Sequence, residues 1–97
     1  MEWHRSDQTL VDGEKTVSFT AAQACVFDNM WVKRGEWITV MEVLTNPAGD
    51  VVPSEDPKNL IHHYMATIRR KLKAADIDLV IENMHQSFWQ DTKYRIK

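Results

Sequence analysis

Scarcity is the first information in this chain. Its 97 residues hold one cysteine, three glycines and three prolines. The single Cys25 has no partner for an internal disulfide, which predicts a reducing compartment. Its flanks (Ala22, Ala24, Val26 and Phe27) predict a small buried hydrophobe, not a nucleophile. Three scattered glycines provide no glycine-rich phosphate loop. No run approaches the roughly 18 apolar residues of a membrane span, and MEWHRSDQTL lacks the apolar stretch of a signal peptide. The expectation is a cytoplasmic protein without membrane contact. With 43% hydrophobic and 27% charged residues, the composition is that of an ordinary globular chain with enough length for one modest core. The organisation expected is one domain over residues 1–97, with residues 1–8 as a loosely ordered arm.

Positive charge is scarce in one half only. Residues 1–57 carry four basic and ten acidic side chains, and residues 58–97 carry eight basic and four acidic, so a net charge of -2 divides into -6 and +4. Such segregation points to a local face for a polyanion, with weak steering by the protein as a whole.

Along the chain, TLVDGEKTVSF (Thr9 to Phe19) sets Asp12-Gly13 between two β-prone runs, a hairpin signal with Val17 and Phe19 turned inward. Thr20 and Gln23 then make a capping-box pattern. Ala24, Phe27, Met30 and Trp31 follow at helical spacing, Lys33 and Arg34 suit the end of that helix, and Gly35 suits its termination. Trp37 and Ile38 read as an extended link. Thr39 with Glu42 is a second box, opening a short helix to about Leu44. All three prolines fall in NPAGDVVPSEDP (46–57), a long loop that is either functional or a tolerated insertion. Asp56 and Pro57 then suit the cap and first position of a longer helix. Ile61, Met65, Ile68 and Leu72 make one apolar stripe at i, i+4, i+7 and i+11. Beyond Asp76, residues 79–84 and 92–96 read as two short strands. HQSFWQD links them and carries Phe88 and Trp89, for which packing, a groove wedge and a protein contact are the roles considered for Trp89.

His62 and His63 are adjacent, about 100° apart around a helix, and cannot clamp one ion as an i,i+4 pair can. No metal, no cofactor and no enzymatic activity is expected. What remains is the helix itself, with five basic residues between Lys58 and Lys73 and no acidic one. Arginine can pair with guanine and asparagine with adenine, while lysine fixes register on phosphate. The plain alternative is a solvated basic face without a ligand.

The order of elements, with VDGEKTVSFT, RGEWIT, MATIRRKLK and YRI, resembles the winged-helix effector domain of OmpR/PhoB-type response regulators over roughly residues 9–96. It is similar also to small stand-alone regulators of bacteriophages and their bacterial hosts. The resemblance implies an α+β winged helix-turn-helix: three helices, a short N-terminal β-ribbon and a C-terminal β-hairpin wing. It implies a sequence-specific regulator of transcription that binds double-stranded DNA, possible as a homodimer on paired half-sites. The recognition helix would span about 57–74 and the wing about 79–96. Lys58, Asn59, His62, His63, Ala66, Thr67, Arg69, Arg70 and Lys73 would face DNA from the helix, and Lys93 and Arg95 from the wing. The 46–57 loop would correspond to the loop that touches RNA polymerase. Three departures stand out: no receiver domain, Ala66 and Thr67 where arginine is common, and no glycine pair before Tyr94-Arg95. The alternative reading is an interaction module that binds RNA polymerase or a host regulator and not DNA.

Overall fold

A computed structural model describes residues 1–45, 49, 56–85 and 88–97. It is a small α+β fold with three helices and two small antiparallel sheets. Strands β2 (Thr9–Asp12) and β3 (Lys15–Ser18) pair from Thr9↔Ser18 to Asp12↔Lys15, and Gly13 takes the left-handed φ of +64° that the tight turn requires. Val17 and Phe19 are buried, as the alternation predicts.

Residues 1–8 are not a loose arm. Glu2–His4 form β1, which pairs with β2 and completes the first sheet in the order β1-β2-β3. The cause is Trp3. Its ring lies 4.7 Å from that of Phe27, and its Nε1 donates to Asp28 Oδ1 at 2.9 Å. Arg5 Nε reaches the same oxygen at 2.8 Å. Phe19 and Trp31 flank Phe27 at 5.1 and 5.8 Å, so Phe27, with no exposed surface, is the centre of an aromatic cluster.

Helix α1 (Ala21–Trp31) starts on the expected box: Gln23 N donates to Thr20 Oγ1 and Thr20 N to Gln23 Oε1. It ends at Trp31, so Lys33 and Arg34 lie beyond its last turn. Gly35, at φ +89°, turns the chain farther on and donates its N–H to the Ile96 carbonyl. The expected link at Trp37-Ile38 includes a strand, β4 (Ile38–Thr39), paired with the C-terminal hairpin.

Helix α2 (Val40–Val43) is a single turn, too short to persist unaided. Both ends are therefore held. Thr39 and Glu42 close a capping box, and Asn29 Nδ2 donates to the Val43 and Thr45 carbonyls at 2.8 and 2.6 Å. The Lys33 ammonium, 3.0 Å from Glu42 Oε2, holds the Glu42 carboxyl below its ordinary range.

Helix α3 (Pro57–Ala74) begins with Asp56 accepting from Asn59 N and Pro57 in the first turn. Ile61, Met65, Ile68 and Leu72 are its four buried residues. Lys71 does not join the outer charge: its Nζ donates to Gln23 Oε1 at 2.7 Å and to the Ser18 carbonyl at 3.1 Å. Strands β5 (Ile81–Met84) and β6 (Lys93–Ile96) close the second sheet in the order β4-β6-β5. Ile81, Tyr94 and Ile96 enter the core, and Trp89 packs against it from the 3-10 turn Trp89–Asp91. Most of the proline-bearing loop (46–48 and 50–55) lies outside the described residues. Among those described, no helix is long and apolar enough to cross a membrane.

Asp28→Ala leaves the half-buried Trp3 indole N–H without its acceptor. Urea unfolding should show a loss of about 1–2 kcal/mol, and the amides of Glu2–His4 should exchange with solvent faster than those of β3.

Candidate nucleic-acid interface

The apolar stripe fixes how α3 is rotated, and the rotation sorts the polar side chains. At about 100° per residue, the stripe leaves Lys58, Arg69, His62, Lys73, Ala66, Asn59, Arg70 and His63 on one continuous arc. All eight are exposed. Thr67 lies about 40° beyond the His63 edge of this arc, half-buried, with its hydroxyl donated to the His63 and Tyr64 carbonyls at 3.0 Å each. It is therefore separated from the set in which the sequence grouped it.

Within the arc, roles differ. Lys58, Arg70 and Lys73 make no ion pair among the described residues, so their charge faces solvent. Asn59 is engaged with its own cap, its Nδ2 donating to Asp56 Oδ2 at 2.6 Å. Arg69 leans onto the neighbouring hairpin. Its Nη2 donates to the Ile81 carbonyl at 2.7 Å and to Asn83 Oδ1 at 3.3 Å. This is a link between helix and hairpin that helical periodicity cannot reveal, because its partner is a backbone carbonyl 12 residues away.

The two hairpin residues also part from the helix. Tyr94 and Ile96 point into the core, so Lys93 and Arg95, alternating with them, occupy the other face of β6. Arg95 places two nitrogens on Glu82 Oε1, at 3.0 and 2.8 Å, and lies 4.3 Å from the Trp37 ring centroid. Its charge is largely matched within the protein. Lys93 remains exposed.

Between α3 and the hairpin runs an open groove of about 320 Å³, lined by His62, Met65, Ala66, Arg69, Asn83, His85 and Tyr94. Among the described residues, no carboxylate lines it. Burial pushes the Tyr94 phenol above its ordinary range, and the positive charge of Arg69 opposes that rise. His85 and Asn83 were missed in the sequence, since a loop histidine and a strand asparagine carry no periodic signal. They pair locally, with 2.7 Å between Asn83 Nδ2 and His85 Nε2, two positions apart on one side of the extended segment.

Cys25 sits half-buried, its Sγ 3.9 Å from the Thr45 carbonyl, and burial together with Asp28 pushes its thiol up, away from nucleophilic use. Among the described residues, no group of three or more histidine, cysteine, aspartate or glutamate side chains is placed to hold a metal ion.

No protein-family model, curated protein or solved structure matches this chain.

Arg69→Ala removes the link to β5. The amides of Ile81–Met84 should lose protection in hydrogen-exchange NMR, with an overall destabilisation of about 1–2 kcal/mol.

Proposed function

We propose that this chain is a winged helix-turn-helix protein that binds double-stranded DNA and regulates transcription. In this reading α3 enters the major groove and the β5–β6 hairpin is the wing. The observation that carries it is the exposed arc of α3, where Lys58, Arg70 and Lys73 present positive charge in no ion pair among the described residues, beside the polar His62, His63 and Asn59. A scaffold helix ordinarily mixes charge signs along its outer face, which supports it by i,i+4 pairing; this helix holds no acid at all. An α-helix of this kind fits the major groove, whose edges accept bidentate contacts from arginine.

Roles follow from the partners each side chain lacks. Arg70 is the base-reading candidate, being exposed on the arc and in no ion pair among the described residues. Lys58 and Lys73, at the two ends of α3, suit phosphates on either side. His63 and Ala66 complete the outward surface, Ala66 by apolar contact. Lys93 supplies backbone charge from the wing. Arg69 and Arg95 serve the architecture first, through Ile81 and Glu82 respectively.

A second reading, an interaction module that binds RNA polymerase or a host regulator, draws on Phe88, which is 69% exposed at the hairpin end. An exposed aromatic ring is a common anchor in protein interfaces.

Salt separates the two. Duplex affinity should fall steeply, with a log–log slope of about -0.9 for each phosphate engaged. Absence of duplex binding at ~50 mM salt would leave the interaction module. Arg70→Ala should cost ~1–3 kcal/mol on the preferred sequence and less on others if it reads a base; an equal loss on every sequence marks a phosphate contact.

A further inference from the structure

The groove between α3 and the β5–β6 hairpin has a fixed donor pattern, and the pattern starts at Arg69. Because Arg69 Nη2 donates to Asn83 Oδ1, the orientation of the Asn83 amide is set, and its Nδ2 faces His85. An amide nitrogen only donates, so His85 Nε2 must accept at 2.7 Å. His85 therefore carries its proton on Nδ1, where it remains a donor. The chain Arg69–Asn83–His85 converts a flexible arginine, an ambiguous amide and an ambiguous imidazole into one defined set.

Two further facts concern charge. Arg69 makes no ion pair among the described residues, and both of its hydrogen-bond acceptors are neutral. Across the groove stand His62, exposed and without a hydrogen-bond partner among the described residues, and the hydroxyl of Tyr94. The lining thus offers a held guanidinium, two imidazoles and a phenol, and no carboxylate among the described residues opposes an anion there. A volume of about 320 Å³, open along one side, admits a phosphate with an attached sugar.

We infer that this groove is a phosphate-binding site, in which the Arg69 guanidinium and the His85 and His62 imidazoles hold the phosphoryl oxygens. Phosphate chemistry has two sources: a phosphodiester of a bound duplex, or the phosphate of a free nucleotide. Only the first rests on the DNA reading proposed above. In either case Arg69 does two tasks with one side chain, bracing the hairpin with Nη2 and lending charge to the groove.

The test uses the full chain with two probes, a mixed-sequence duplex and adenosine 5′-monophosphate. The variants are Arg69→Gln and the double variant His62→Ala/His85→Ala, whose exposed positions leave folding intact. Arg70→Ala reports on the outward face of the helix. If a duplex phosphate is seated, Arg69→Gln lowers the magnitude of the salt slope by about 0.9. The histidine double variant then binds duplex about tenfold more weakly with an unchanged melting temperature. If the ligand is a free nucleotide, the monophosphate shifts the Asn83 and His85 amide resonances of the wild type saturably and those of the double variant not at all. That result without duplex binding keeps the phosphate site and removes the DNA reading. Groove variants that bind duplex with wild-type affinity and slope, together with a monophosphate that moves neither resonance, overturn the site; a loss in Arg70→Ala would then leave the DNA reading standing. Failure of both probes to bind the wild type overturns it equally.

Discussion

Burial of four side chains, Ile61, Met65, Ile68 and Leu72, governs the layout of this protein. Together they decide the rotation of an 18-residue helix, and with it the destination of every charge the helix carries. Each fully buried aliphatic side chain contributes about 1.5–3 kcal/mol, so a rotation that exposed the stripe is not an accessible alternative. The surface arc is thus a consequence of the core. It needs no interaction of its own to be presented, which is why Lys58, Arg70 and Lys73 can be exposed with no ion pair among the described residues. The cost of leaving like charges side by side on one helix is a few tenths of a kcal/mol per pair, small against the burial on the other side.

The remaining elements hold that helix from two directions. On one flank Lys71 joins the β3–α1 junction by binding Ser18 and Gln23, and Gln23 is at the same time the capping residue of α1. On the other flank Arg69 joins β5. Two basic residues in IRRKLK, Arg69 and Lys71, therefore tie the molecule together, Arg69 while still exposed, and Arg70 between them makes no such link among the described residues. A substitution at any of the three would change net charge by the same amount with different results. Charge counting treats them alike; partners do not.

Legibility in the sequence followed the range of the interaction. Local signals were accurate: the turn after Asp12, the Thr20–Gln23 and Thr39–Glu42 boxes, the Asp56–Pro57 start and the apolar stripe all depend on residues within four positions of each other. What needed distant partners was illegible. Strand β1 exists because Trp3 finds Phe27 and Asp28, and β4 is only two residues long, below any periodic signal. Among the candidate binding residues, exposure was read well for Lys58, His62, His63, Arg70 and Lys73. Arg69 and Arg95 are each claimed by an acceptor elsewhere in the fold, the Ile81 carbonyl and the Glu82 carboxylate, while Thr67 is claimed by carbonyls one turn back in its own helix. Asn83 and His85 surface only once the hairpin register is known.

The two-residue strand β4 has a consequence for how this chain reaches its structure. Ile38 pairs with Tyr94, and 94 - 38 = 56 residues separate them. The Val40 N–H, at the start of α2, likewise depends on the Thr92 carbonyl, and the Gly35 N–H on that of Ile96. The segment between α1 and α2 can therefore find its native partners only after β6 has been made, near the finish of the 97-residue sequence. During synthesis the earlier sheet and α1 can form as local units, while α2 waits. Pairings so remote in sequence slow folding because loop closure precedes any gain from contact. The β5–β6 hairpin thus completes the pairings of the segment that joins α1 to α2, across a long loop of intervening chain.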